Sequence, residues 1–307
     1  MDFNLVDLSL RIRSDTNTAI AELIALFVRE FSSVCRASVC RWTTRDCSCC
    51  SSRVSCAWYR VFGQELSTDP EALRCHQKPS LPFVFSFSPT GDNKPECQEI
   101  ECRLVVIGRA IPQLAMLLDG VDAVLSSHEC HGRFHILERT SRDYQGVPQA
   151  LNAVSAMENL VVLSAAAIME CQPWECSQVD IRLGFPLTLR RDGRYMKKFD
   201  FQLFTRSLLR RVSSLAYYYG EHEFEYGFKS LSQQCDEIIC TDDHFRYETL
   251  SGGNKRMSGV SGYGTFFGNF SGLLPFLALG SYCNAGKGAA FGMGRYELIA
   301  SGGAYAD

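Results

Sequence analysis

A β-α-β-β-α-β order that can be read twice along 307 residues predicts an α+β chain of two tandem ferredoxin-like domains, with a cysteine-rich insertion in the first. Three observations carry this: strands that alternate or run apolar, amphipathic helices between them, and a crowd of cysteines after the first helix. The expected domains are 1–175, with the insertion at 35–80, and 176–307. The two copies have diverged beyond visible repetition.

The first copy opens with Phe3 to Ile12, whose alternation reads as a half-buried strand. Asp15 or Thr16 can cap a helix over Thr18 to Phe31, with Ile20, Leu23, Ile24 and Phe27 on one face. Leu81 to Phe87 and Glu99 to Ile107 read as strands, Ile111 to Leu118 as a short helix, and Gly132 to Leu137 as a strand. A short helix is expected around Leu160 to Met169. The second copy starts with a strand over Val179 to Leu189 and a turn at Arg190 to Arg194. A long helix follows from Phe199 to Tyr219, striped by Phe204, Leu208, Val212 and Leu215 and ended by Gly220. Arg246 to Leu250 and Gly262 to Phe270 suggest a strand pair, Leu273 to Leu279 a helix, and Ala290 to Ile299 a last strand.

Composition bounds the function. Hydrophobic residues make up 46% and charged residues 21%, which supports packed cores and excludes wholesale disorder. No apolar run approaches the roughly 20 residues of a membrane helix. Asp2 and Asp7 precede any basic residue, so no secretory signal is read and a cytoplasmic location is expected. The net charge of −3 argues against unspecific coating of nucleic acid but permits a local basic site.

Nine of the 15 cysteines lie between Cys35 and Cys102. Cys40, Cys47, Cys50 and Cys56 offer four thiolates with one C-x2-C step, a pattern suited to structural zinc. An iron–sulfur cluster uses the same ligands, free thiols are the third alternative, and Cys35 and Cys49 compete for the assignment.

The densest glycine run spans Gly262 to Gly294 and holds Asn284-Ala-Gly286-Lys287-Gly288. Glycines let a backbone approach a ligand and turn its amides outward, and a lysine among them suits phosphate. A nucleotide P-loop fails, because Gly280 and Gly286 enclose five residues and Gly288 stands where Ser or Thr is needed. A packing-only connection is the plain alternative. Between Ile181 and Leu215 nine basic residues face two acidic ones: Arg182, Arg190, Arg191, Arg194, Lys197, Lys198, Arg206, Arg210 and Arg211 against Asp192 and Asp200. Such clustering suits a phosphate backbone, and a solvated helix face is the competing explanation.

FPLTLRRDGRYMKKFDFQLFTRSLLRRVSSLAYYYG (Phe185 to Gly220) and GYGTFFGNFSGLLPFLALGSYCNAGKGAAFGMGRYEL (Gly262 to Leu298) resemble the CRISPR-associated endoribonuclease, family six, of the RAMP superfamily. The cysteine spacing, followed by Tyr59 and Phe62, is similar to a cluster found in one branch. The resemblance implies two RNA-recognition-motif-like domains and a partner in CRISPR repeat RNA, bound as a hairpin, with other effector-complex subunits as further partners. It implies cleavage of precursor CRISPR RNA by 2′-OH attack, without a catalytic metal, leaving 2′,3′-cyclic phosphate and 5′-OH ends. No membrane partner is implied.

By this resemblance the RNA contacts are Arg190, Arg191, Arg194, Lys197, Lys198, Arg206, Arg210, Tyr263, Gly286, Gly288 and Arg295, and Lys287 stabilises the charged phosphorane. Two departures stand out. The first helix lacks the histidine of many relatives, and Asn284 replaces the histidine of a His-x-Gly-Lys-Gly motif. Asparagine orients but does not titrate. His128 and His131 are the substitute acid/base candidates, with metal binding alongside Cys130, or no role, as alternatives. These departures keep open a catalytically weak RNA-binding subunit, and more distantly a zinc-stabilised nucleic-acid-binding protein outside CRISPR immunity.

Overall fold

The computed structural model describes residues 3–42, 46–75, 78–94, 97–130, 132–151, 160–172, 175–220, 227–253 and 255–301. It divides into two compact units, one of Asn4–Leu163 with Ser251–Lys255, the other of Ser164–Leu250 with the chain before Asn4 and after Lys255.

In the first unit β1 (Asn4–Ser14) buries Leu8, Leu10 and Ile12 by simple alternation. Helix α1 (Ile20–Val39) extends eight residues beyond the expected Phe31, because its apolar face continues through Cys35. Helices α2 (Ala57–Phe62) and α3 (Pro70–Cys75) precede β2 (Phe83–Lys94) and β3 (Cys97–Ile107). Helix α4 (Leu114–Leu125), β4 (Phe134–Arg142) and β5 (Pro148–Ala150) complete the unit. The strands run β2-β3-β1-β4, all antiparallel, with β5 beyond β4. This is the ferredoxin-like order. Phe27, Phe31, Phe83 and Phe85 form its aromatic core. Helices α1 and α4 pack so closely that a Cβ on Gly120 would lie 2.3 Å from Cys35 Sγ.

After the short β6 (Leu163–Ser164) and α5 (Ala165–Glu170), the second unit repeats the plan. It comprises β7 (Gln178–Leu187), the hairpin β8 (Arg190–Arg191) and β9 (Arg194–Tyr195), α6 (Phe201–Tyr219), α7 (Phe228–Gln234), β10 (Ile239–Asp243), β11 (Arg246–Gly252), β12 (Lys255–Phe267), α8 (Leu274–Gly280) and β13 (Tyr296–Ser301). The strand order β10-β12-β7-β13 is again antiparallel and ferredoxin-like, and β11 pairs with β12. Two tandem ferredoxin-like units are therefore present. Asp200 caps α6, its Oδ1 accepting from the Leu203 amide at 2.8 Å, and Gly220 ends it. The inner face of α6 buries Phe204, Leu208, Val212 and Leu215, while Arg206 and Arg210 stay exposed. Gly280 admits both Leu208 and the Tyr296 hydroxyl, each 2.5 Å from where a Cβ would stand.

Several elements were not expected from the sequence, among them α2, α3, α7 and β10. The last strand begins at Tyr296 rather than Ala290, because Gly292 (φ 92°) and Gly294 (φ 62°) hold left-handed turns just before it. No helix among the described residues is long and apolar enough to cross a membrane.

Candidate nucleic-acid interface

The site is built at the end of β7. Past Leu187 the chain continues through Thr188 and Leu189 into the β8–β9 hairpin, with register Arg190↔Tyr195 and Arg191↔Arg194. Asp192 and Gly193 supply the turn with φ of 51° and 78°, the left-handed pair a two-residue hairpin requires. Arg191 Nη2 donates to Asp200 Oδ2 at 2.8 Å, tying the hairpin to the cap of α6.

The glycine-rich segment between α8 and β13 folds back onto the same strand end. Gly294 N donates to Pro186 O at 3.2 Å, Lys287 N to Thr188 O at 3.1 Å, and Ala285 N to Gly294 O at 3.2 Å. Gly286 has φ 77°, and a Cβ there would stand 2.7 Å from Thr188 O. The glycine requirement is thus steric: the loop must lie flat against β7. Several of its amides are consumed internally, so its contribution is a fixed ammonium, Lys287, rather than a cradle of outward N–H groups. Asn284, at φ 55°, is 1% exposed and donates from Nδ2 to Ala289 O at 3.2 Å, bracing the loop from inside. Arg211 Nε donates to Cys283 O at 2.7 Å and anchors the loop's start to α6.

Hairpin, helix and loop enclose an open groove of about 610 Å³. Five basic side chains line it, Arg190, Arg191, Arg206, Arg210 and Lys287, against one acidic residue, Asp192. Like charges at this density raise a strong positive potential, which a polyanion neutralises with release of its counterions.

One side chain that sequence reading missed lies at this site. Tyr195 Oη accepts from Arg190 Nη2 and lies 3.5 Å from Lys287 Nζ. The Arg190 guanidinium also sits 4.2 Å from the ring centroid. These two cations hold the phenol below the ordinary tyrosine range.

Arg194, Lys197 and Lys198 are exposed on the hairpin and the segment after it. Gly288 (φ 82°) belongs to the loop's turn against Met293. Arg295 lies beside Glu297 at 3.6 Å, and Tyr263 stacks on His244 on the sheet at a centroid distance of 4.5 Å; neither lines the groove. His128 is exposed in the first unit. His131 lies outside the described residues.

The cysteine segment behaves differently. Cys40, Cys47, Cys50 and Cys56 are free thiols, and among the described residues no three His, Cys, Asp or Glu side chains come together as metal ligands. As folded here the four do not fit a tetrahedral ion. Cys35 is removed from the competition, since burial pushes its thiol up to about 12 and it packs against α4.

Residues 16–146 match a family model described as an N-terminal domain. No curated protein matches the sequence. Among solved structures, the chain is similar to a Thermus thermophilus Cas6 (TTHB231) in a product complex, with 15% identity, TM-score 0.58, and 97% of this chain and 100% of that chain covered. It is similar to a second Cas6 (TTHA0078) product complex, with 13% identity, TM-score 0.52, and 96% and 99% covered. A partial Cas6-RT-Cas1–Cas2 complex matches with 11% identity and TM-score 0.57, over 97% of this chain and 46% of that one. At these identities the likeness is one of fold. Residues 181–296, which contain the hairpin, α6 and the glycine-rich loop, match the model of the CRISPR-associated endoribonuclease Cas6.

Proposed function

We propose that the chain binds CRISPR repeat RNA in the groove between the β8–β9 hairpin, α6 and the Lys287 loop, cleaves it there, and retains the hairpin product. The observation that carries this reading is the convergence of five cations on one groove from three separate segments of the second unit. An RNA helix offers phosphates and 2′-hydroxyls in its shallow groove, and arginines on a protruding hairpin suit that backbone. The proposed reaction is an internal transesterification. The 2′-oxygen attacks the adjacent phosphorus, and the P–O5′ bond breaks. A 2′,3′-cyclic phosphate and a 5′-OH result, and no metal takes part. Lys287 is placed to offset the extra charge on the phosphorane, a role electrostatic groups fill best when held rigid beforehand. Its backbone bond to Thr188 supplies that rigidity. Arg190, Arg191, Arg206 and Arg210 hold the strand, with Arg194, Lys197 and Lys198 on the approach.

A second reading rests on one observation. Asn284 cannot titrate and is buried in the loop, so that position supplies no acid or base. On this reading the chain binds repeat RNA as a weak or inactive subunit of a CRISPR effector complex. Incubation with repeat RNA in EDTA separates the two. Cleavage to a cyclic-phosphate end supports the nuclease, and tight binding without cleavage supports the binding subunit.

A further inference from the structure

A 2′-OH is a poor nucleophile until its proton is taken; the arginines of the groove cannot accept one, and a carboxylate such as that of Asp192 is a far weaker base than a phenolate. Arg190, Arg191, Arg206 and Arg210 are permanently charged donors. Lys287 is a cation in its ordinary state. Tyr195 is placed differently. It stands on β9 directly opposite Arg190, 43% exposed, so its oxygen is reachable from solvent and from a bound strand. That oxygen accepts from Arg190 Nη2 and faces Lys287 Nζ at 3.5 Å. Among the described residues the charged groups facing it are those two, one across the hairpin and one from the loop. Two cationic donors on one phenol oxygen favour its ionised form, because the anion accepts both bonds more strongly than the neutral phenol does.

We infer that Tyr195 is the proton acceptor for the attacking 2′-OH, with Arg190 and Lys287 as the cationic donors that hold its oxygen in place. This rests on the nuclease reading above and deepens it. In the step, the 2′-oxygen gives its proton to Tyr195 Oη as it bonds to phosphorus. The P–O5′ bond breaks, and the 5′-oxygen takes a proton from water. The tyrosine then returns its proton to solvent, so nothing is consumed. Lys287 serves twice: it lowers the cost of the phenolate before the reaction and faces the phosphorane during it. The arrangement also explains how a chain with Asn284 in place of a histidine keeps a base. The base sits on the hairpin rather than in the loop.

The test is single-turnover cleavage of repeat RNA against pH by the full chain and by Tyr195→Phe, with RNA affinity measured in parallel. The rate of the parent should rise with pH through an ionisation below the ordinary phenol value of about 10. Tyr195→Phe should bind within about threefold of the parent, cleave roughly 100-fold or more slowly, and lose that rise. A second readout needs no RNA. The tyrosinate absorbance of the parent minus that of Tyr195→Phe should reveal one phenol titrating early, and Lys287→Ala should move it back upward. If the parent cleaves and Tyr195→Phe cleaves equally with the same pH profile, the assignment of Tyr195 fails while the nuclease reading stands. If the parent binds but does not cleave, both fail. An ordinary titration for that phenol also overturns the assignment.

Discussion

The cysteine segment and the basic groove make opposite use of the sequence. Cys40, Cys47, Cys50 and Cys56 are neighbours along the chain yet remain separate free thiols, outside any group of metal-ligating side chains among the described residues. Tyr195 and Lys287 are 92 residues apart and meet. The reason is topological. In a ferredoxin-like unit the first strand is central and pairs with the last, so whatever follows the first strand and whatever precedes the last arrive at one end of the sheet. The β8–β9 hairpin follows β7, and the Lys287 loop precedes β13. Fold connectivity therefore brings the groove together from segments far apart in the chain.

The largest effect should come from the hairpin. Replacing Arg190, Arg191 and Arg194 together by alanine should weaken repeat-RNA binding by about 100- to 1,000-fold near physiological salt, and lower the salt slope by about two to three. Binding titrations at several salt concentrations check this, and an unchanged slope would break the comparison in favour of another surface. A sharper version contrasts two glycines. Gly286→Ala puts a Cβ 2.7 Å from Thr188 O at φ 77° and should cost about 1–3 kcal/mol in thermal or denaturant unfolding, with a slower cleavage of repeat RNA as Lys287 is displaced. Gly146, at φ 78° with open space around its Cβ, belongs to the first unit. Its alanine variant should lose only about 1 kcal/mol, with the cleavage rate intact. Equal losses of cleavage would show that the loop is not specifically placed. The smallest effect is expected in the cysteine segment. Cys50→Ser should shift stability by no more than about 0.5 kcal/mol, as a surface change does. A loss of several kcal/mol, restored by added zinc, would show that the segment closes around metal in solution.

Much of the fold was legible because each core strand alternates or is wholly apolar. The Val179–Ile181–Leu183 pattern and the Phe204–Leu208–Val212 stripe fix β7 and α6 without further information. β10 was not legible, since Ile239 to Asp243 is exposed throughout and carries no burial signal. At the site, the arginines and Lys287 were visible as clusters of charge. The sequence marks Asn284 as a group that orients but does not titrate; its left-handed backbone and 1% exposure follow from the loop's closure on itself, which no spacing reveals. Tyr195 escaped notice because its chemistry depends on Lys287, and that contact exists only once the sheet has formed. The I′ turn at Asp192–Gly193 is a usable clue: it fixes Arg190 opposite Tyr195.

If hairpin and loop form one catalytic RNA site with Lys287 at its chemical centre, single-turnover cleavage of repeat RNA in EDTA must separate the parent from Lys287→Ala when affinities are measured under the same conditions. The variant should keep its affinity within a few-fold and cleave about 100- to 1,000-fold more slowly. Equal cleavage rates would contradict it.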